Sequence, residues 1–407
     1  MSVLVVNAGS SSLKYAVLEP SDDPTAPAQR LGGGLVERIG SGGARLRHDG
    51  PHGRAVDGEA VDAPDHAAAL LVAADAIRAH GPAADDVTAV GHRVVHGGED
   101  HSGPVVVDDA VLARIEELAV LAPLHNPVNA AGIRAARDRF PDVPHVAVFD
   151  TAFHADMPAG AATYAVPGDW RREHGVRRYG FHGTSHAYVS RTAAAWLSRE
   201  RGVPAEASRV VVLHLGNGAS ACAVLGGRSV DTSMGLTPLG GLVMGTRSGE
   251  VDPALAGHLR RVAGLDAEAV ETALNTASGL RGLCGDSDLR DVERRADGGD
   301  TDARLALEVY AYRIRAYVGA YAVALGGLDA LAFTAGVGEN SARVRRDVCR
   351  GLGVLGVRLD EGRNDAAASQ PGEVGVLSED GSPAAALVVP TDEEGEIARQ
   401  ALDLLRG

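Results

Sequence analysis

Two apolar runs near the amino terminus, residues 3–6 and 13–18, are separated by the small polar stretch NAGSSS. Runs of this length around a Gly/Ser-rich segment predict two strands joined by a hairpin turn. Residues 67–80 carry a helical pattern that ends at Gly81-Pro82, a stop signal. Residues 143–149 predict a buried strand ending at Asp150. A helix is predicted over 185–197, with Thr184 or Ser185 as N-cap, and the longest helix over 301–325. In the latter, Tyr310, Ile314, Tyr317 and Tyr321 fall on one face, which predicts a core or subunit-interface stripe. Residues 20–65, rich in Gly, Asp, Pro and Arg, predict hairpins and loops. Short strand-type runs alternating with helical stretches predict an α/β protein.

One pattern recurs. Residues 3–18 read VLVVNAGSSSLKYAVL and residues 211–225 read VVLHLGNGASACAVL. Placing Ser12 over Ser220 sets strand over strand and turn over turn. A third glycine turn is predicted in FTAGVGENS, residues 333–341, after another apolar run. A repeated strand–turn–strand unit predicts duplicated domains facing one another, with a ligand cleft between them.

Composition narrows the class. The chain has 407 residues, a charge sum of 39 − 54 = −15 and 45% hydrophobic residues. That is a soluble globular balance with room for two or three domains. An acidic body argues against nucleic acid or a membrane surface as partner. The first apolar run is too short for a signal peptide, and no run approaches a membrane span. Three scattered cysteines, Cys222, Cys284 and Cys349, form no C-x-x-C pair and fit a reducing cytoplasm rather than a disulfide framework or a structural zinc site. Of the 39 basic residues 38 are arginine and one is lysine, Lys14. Its context is neither a Walker A loop nor the V-A-I-K strand of protein kinases.

The candidate chemistry gathers at the turns. NAGSSS offers backbone N–H groups and hydroxyls, and Lys14 follows it with a compact charge suited to phosphate. An ordinary Ser-rich hairpin accounts for the turn alone; the chain's single lysine beside it favours function. His214-Leu215-Gly216-Asn217-Gly218 and Gly336-Val337-Gly338-Glu339-Asn340-Ser341 are further candidates for phosphate and nucleoside contact. GLGVLG at 351–356 matches the dinucleotide string but follows a helix-like segment and precedes a strand, the reverse of the required context. His182/His186 and His92/His96 are spaced i, i+4, yet neither pair has zincin spacing, which argues against zinc. Arg93 and Arg247 lie in glycine-flanked segments, where loops present side chains to ligands; structural salt bridges are the plain alternative.

NAGSSSLKY, GHRVVHGG, VFDTAFH, RRYGFHGTSH, HLGNGAS, DTSMGLTPLGGLVMGTRSGEVDP, FTAGVGENS and VPTDEE follow one another in the order seen in acetate kinases. The chain resembles that family from Val3 to about Arg399. The resemblance implies an α/β fold of two ribonuclease H-like domains, the duplicated actin-like ATPase fold, around a nucleotide cleft. The expected domains are residues 1–150 with 390–407, and residues 151–389, with hinges near 150–155 and Pro390. It also implies reversible phosphoryl transfer from ATP to acetate with Mg2+ (Mn2+ as an alternative), by a cytoplasmic homodimer. Carried onto this sequence, Asn7 and Glu393 are similar to the magnesium-site residues, with Asp150 close by. Lys14, His214 to Gly218, Asp288, Leu289, Arg290 and Gly336 to Asn340 resemble the ATP contacts. Arg93 and Arg247 resemble the substrate and transition-state arginines, and His182 the transition-state histidine. Val95, Leu124, Phe181 and Pro238 match the apolar pocket for the acetate methyl. Gly395 stands where the family continues with leucine, which implies a looser start to the last helix. Cys284-Gly285-Asp286 before Asp288 is a second departure.

A carboxylate is ionised at neutral pH and needs no general base. Its repulsion from a polyanionic phosphate must be offset by cations. The expected mechanism is therefore direct in-line transfer, with Asp150 organising metal-bound water. Propionate or butyrate kinase is the alternative within this chemistry, because one methylene is worth only about 1–3 kcal/mol in an apolar pocket. A non-catalytic nucleotide switch is the alternative from another class; a dehydrogenase would rest on the 351–356 glycines alone.

Overall fold

A computed structural model describes residues 1–81, 87–367 and 370–407; Pro82 of the expected stop signal lies outside the described residues. The chain forms two compact units. The first comprises Met1–Ala155, Gly183–Ser185 and Asp392–Gly407, the second Asp156–His182 and His186–Thr391.

Among its described residues the first unit holds eight strands: β1 (Ser2–Gly9), β2 (Ser12–Glu19), β3 (Gln29–Glu37), β4 (Arg45–Gly50), β5 (Gly53–Ala60), β6 (Val87–Val94), β7 (Val105–Val106) and β8 (His145–Phe149). They form one sheet in the order β5-β4-β3-β2-β1-β6-β8-β7, in which β1, β6 and β8 are parallel. Alternation sorts the side chains. Leu4, Val6, Leu13, Tyr15 and Val17 pack with Leu70, Ala73 and Ile77 of the helix His66–His80. Val3, Val5, Ala16 and Leu18 pack with Ile397, Ala401 and Leu402 of the helix Glu393–Arg406. Strand β8 is buried along its whole length, as a parallel strand covered on both faces must be. The predicted NAGSSS turn is tighter than expected. Ladder pairing runs to Gly9↔Ser12, so only Ser10 and Ser11 form the loop, and Asn7 becomes the cross-strand partner of Lys14. Within residues 20–65, β3, β4 and β5 form an antiparallel meander with β2, the expected hairpins, and loops fill 20–28, 38–44 and 61–65.

Two buried histidines link neighbouring parallel strands. His145 Nε2 donates to the Phe140 carbonyl at 3.0 Å, so its Nδ1 accepts from His92 Nε2, also at 3.0 Å. Burial pushes both pKa values below the ordinary 6.5. The unfolded chain therefore binds protons that the folded one refuses. Stability from this pair is complete above about pH 7 and falls as pH drops below 6.5, by up to about 1.4 kcal/mol per pH unit for each histidine. Urea unfolding at pH 7.5 and 5.5 measures it: a lower midpoint at pH 5.5 is expected, and His145→Leu flattens the dependence.

The second unit holds β9 (Arg209–Leu215), β10 (Ala219–Leu225), β11 (Arg228–Thr232), β12 (Ala330–Thr334), β13 (Gly375–Val376) and β14 (Ala385–Val388). Their order, β11-β10-β9-β12-β14-β13, repeats β3-β2-β1-β6-β8-β7 of the first sheet in both sequence and sense. The duplication inferred from the two hairpins is thus a duplication of whole sheets. Its register differs by one residue. The second turn has three residues, closed by Gly216 N–H to Gly218 C=O at 3.0 Å, and the last ladder pair is Leu215↔Ala219. Counted from the turn, Ser12 corresponds to Ala219, not Ser220. Matching by residue type cannot detect one extra loop residue, although it changes which face a side chain takes.

Other elements refine the expectations. Residues 335–340 are a short helix (Ala335–Asn340) after β12 rather than an open glycine turn. The helix predicted from residue 185 begins earlier, at Gly183, and its N-cap is His182 in the left-handed region at φ 58°. Residues 351–356 carry positive φ at Gly351 and Gly356 on either side of a single turn of helix, which removes the dinucleotide alternative. In the helix Thr301–Ala324, Tyr310, Ile314 and Tyr321 are buried, so the stripe is core. Among the described residues no helix is long and apolar enough to cross a membrane.

Candidate functional site

In open α/β sheets ligands gather beyond the carboxyl ends of parallel strands. In the first unit those ends carry Asn7 (β1), Arg93 (β6) and Asp150, the residue after β8. Asp150 is 2% exposed and holds Arg93 through two bonds, Nε to Oδ1 at 3.0 Å and Nη2 to Oδ2 at 2.7 Å. Asp150 foremost, then Glu393, raises the Arg93 pKa further, so this guanidinium is permanently charged. Its Nε and Nη2 are committed to Asp150, whereas Nη1 makes no bond to that carboxylate. Val95 beside it is fixed by its own N–H, which donates to Asn129 Oδ1 at 3.1 Å; Leu124 is 70% exposed.

The helix Glu393–Arg406 closes this group. Asp392 caps it, accepting from Gly395 N–H at 2.9 Å, and also accepts from Ala28 N–H at 2.9 Å. A Cβ on Gly395 would stand 2.0 Å from Asp392 Oδ2. The glycine therefore makes room for the cap, and the expected loosening of this helix is not found. Lys14 Nζ lies 3.1 Å from Glu394 Oε1, whose other oxygen takes Arg30 at 2.7 Å. Lys14 thus sits over the start of the last helix, in a half-exposed ion pair worth at most about 1 kcal/mol.

The corresponding strand ends of the second unit form a cavity of about 630 Å3. Eight of the expected ATP contacts line it: Gly216, Asn217, Asp288, Leu289, Arg290, Gly336, Val337 and Asn340. His214, Leu215, Gly218, Gly338 and Glu339 do not. The Glu339 carboxylate instead accepts from the backbone N–H of Ala335 at 2.9 Å and of Thr391 at 3.1 Å, holding the strand-to-helix turn. Ser341, the last residue of the candidate turn from Gly336, lines the cavity too, whereas Gly245, Leu280, Ser287, Glu293 and Tyr310 were not among the sequence candidates. Only Tyr310 had a signal, its place on the tyrosine stripe.

Gly218, at the end of the same turn, lies beside the Arg247 guanidinium and the His182 ring. A Cβ placed on it would stand 3.6 Å from both Arg247 Nη2 and His182 Nε2. Arg247 donates through Nη1 to the Pro238 carbonyl at 2.8 Å and has no carboxylate partner among the described residues. Burial alone lowers its pKa, the mark of a guanidinium charge that the protein leaves uncompensated. The His182 ring stacks on His214 with centroids 4.1 Å apart, and its Nδ1 lies 2.9 Å from Ser220 Oγ. A non-glycine residue at positive φ costs roughly 1–2 kcal/mol, strain that clusters at functional positions. Phe181, 1% exposed, precedes it.

A profile of the acetokinase family matches residues 2–399. The chain belongs to this family. A protein named acetate kinase from Leifsonia xyli subsp. xyli (strain CTCB07) is 55% identical over 403 residues, covering 98% of each chain. The crystal structure of Porphyromonas gingivalis acetate kinase superposes with a TM-score of 0.90 at 41% identity, covering 99% of each chain. A propionate kinase from Francisella tularensis subsp. tularensis SCHU S4 follows at 0.88 and 38% identity, covering 98% of each chain. The fold is the α/β architecture of this acetokinase family, with one mixed sheet in each unit.

Proposed function

We propose that the chain is a phosphotransferase with a carboxyl group as acceptor, moving the terminal phosphoryl group of ATP to acetate and back. The observation that carries this is the turn at 216–218. Its first two residues line the 630 Å3 cavity, and its last lies beside Arg247 and His182. A nucleoside triphosphate bound in the cavity runs its phosphates along the turn toward those two donors. Arg247 stabilises charge on the phosphoryl oxygens and His182 donates to one of them. Arg93, through the arm that Asp150 leaves open, takes the acetate carboxylate. The acetate oxygen then attacks phosphorus in line as the oxygen bridging to ADP leaves. The nucleophile is an anion already, so no base is required, and Asp150, with both oxygens on Arg93, acts through orientation.

Asn7, Asp150 and Glu393 offer only oxygen donors, the kind Mg2+ takes. Among the described residues no three His, Cys, Asp or Glu side chains gather into a ready-made cage. Magnesium ordinarily binds one or two carboxylates and completes its shell with water and substrate phosphates, so this donor set fits it, and Mn2+ as well. When bound, the ion neutralises phosphate charge. Cytoplasmic location and a homodimer belong to the same proposal and rest on the family resemblance.

A hydroxamate assay for acyl phosphate, with magnesium, ATP and each of acetate, propionate and butyrate, tests the function. The expected kcat/KM is highest for acetate; no acyl phosphate from any of the three sinks the proposal. Lys14 has its own test. Lys14→Arg keeps charge and follows the chain's bias toward arginine, so Tm stays unchanged while ATP KM rises or kcat falls, because arginine differs from lysine in reach and shape. Wild-type values of both constants would reduce Lys14 to a partner of Glu394.

A further inference from the structure

We infer that Ser220, backed by His186, is a positioning residue that holds the His182 ring with its proton on Nε2. This rests on the phosphoryl-transfer reading above and adds to it two residues that the expected site does not include. Ser220 is fully buried in β10, where it is the cross-strand partner of His214. Its hydroxyl oxygen lies 2.9 Å from His182 Nδ1 and 2.7 Å from His186 Nε2. His182 and His186 reach it together because they are one helical turn apart, at the cap and in the first turns of the helix Gly183–Arg201.

A serine hydroxyl carries one proton. It can donate to only one of the two imidazoles, and where it donates to one it accepts from the other, which gives two opposite orders of the three groups. In the first order His186 Nε2–H donates to Ser220, and Ser220 donates to His182 Nδ1. His182 then carries its proton on Nε2, the nitrogen that shares the surroundings of Gly218 with Arg247 Nη2. In the reverse order Nε2 presents a lone pair, which repels a phosphoryl oxygen. Only the first order makes His182 and Arg247 convergent donors for an anion. A neutral ring that donates in a fixed direction needs such a partner behind it, as ring-orienting groups supply in other sites.

Ring-15N spectra of selectively labelled histidine in the full-length chain, with His182 assigned by its loss in His182→Gln, test the inference directly. The expected wild-type spectrum shows His182 protonated on Nε2, and Ser220→Ala shows a mixture of tautomers. Ser220→Ala is also expected to lower kcat about 10–100-fold, with ATP KM nearly unchanged. His186→Gln retains a donor and keeps most of the activity, whereas His186→Leu follows Ser220→Ala. A wild-type proton on Nδ1, or a Ser220→Ala chain with wild-type kcat, overturns the inference. The tautomer is read without turnover. A chain that makes no acyl phosphate would therefore remove the functional reading, while the spectra still decide the role of Ser220.

Discussion

Replacing Arg247 by alanine lowers kcat roughly 10²–10³-fold or more while the chain keeps its fold, the loss expected on removing one fixed donor to developing charge. Its surroundings separate the two effects. The guanidinium has no carboxylate partner among the described residues, so its removal leaves no opposite charge stranded. Its hydrogen bond to the Pro238 carbonyl is worth about 1 kcal/mol net. Against that loss stands relief of a desolvated charge, and the urea midpoint stays near wild type. A transition-state role predicts that kcat falls more than ATP KM rises. Arg247→Lys restores charge but not the planar fork, and recovers only part of the rate. A near-normal kcat for Arg247→Ala would take this residue out of the site.

Whether such a residue can be found from sequence depends on what decides its position. The two hairpins were legible because a strand–turn–strand unit depends on local alternation and small turn residues, both written in a few adjacent positions. The cavity segments were legible for the same reason: 216–218 and 335–340 follow buried strands whose apolar runs announce them. The register between the repeats was not, because one extra loop residue at 216–218 is invisible to residue matching. Nor was the His182 cap. Thr184 and Ser185 are better capping residues by type. The chain instead starts the helix at Gly183, whose N–H donates to the Asp150 carbonyl at 2.9 Å and where any Cβ would stand 2.3 Å from that oxygen. That constraint comes from a strand more than thirty residues away. Separation in sequence also hid the pairing of Lys14 with Glu394 and of Ser220 with two histidines. Arg93 and Arg247 looked alike in glycine-flanked segments; only the folded chain shows that one is neutralised and the other is not.

That difference makes the second large effect opposite in kind. Arg93→Ala strands the Asp150 carboxylate, 2% exposed, without the fork that holds both its oxygens. Breaking a buried pair from one side costs about 3–5 kcal/mol, a large share of the roughly 5–15 kcal/mol that holds a typical domain. The urea midpoint of the first unit falls accordingly. Asp150→Ala costs less, because the remaining Arg93 is 22% exposed and keeps contact with water. The double variant Arg93→Ala, Asp150→Ala removes both charges together and recovers stability relative to Arg93→Ala alone, a coupling of about 0.5–3 kcal/mol or more in a double-mutant cycle. Acetate binding behaves differently if Arg93 Nη1 takes the carboxylate. The acetate KM rises in Arg93→Ala and stays high in the double variant, because restoring the fold does not restore the cation. Recovery of both stability and acetate KM in the double variant would show that Arg93 serves the unit only as the partner of Asp150. Persistence of the KM defect after stability returns separates a substrate-binding arginine from a structural one.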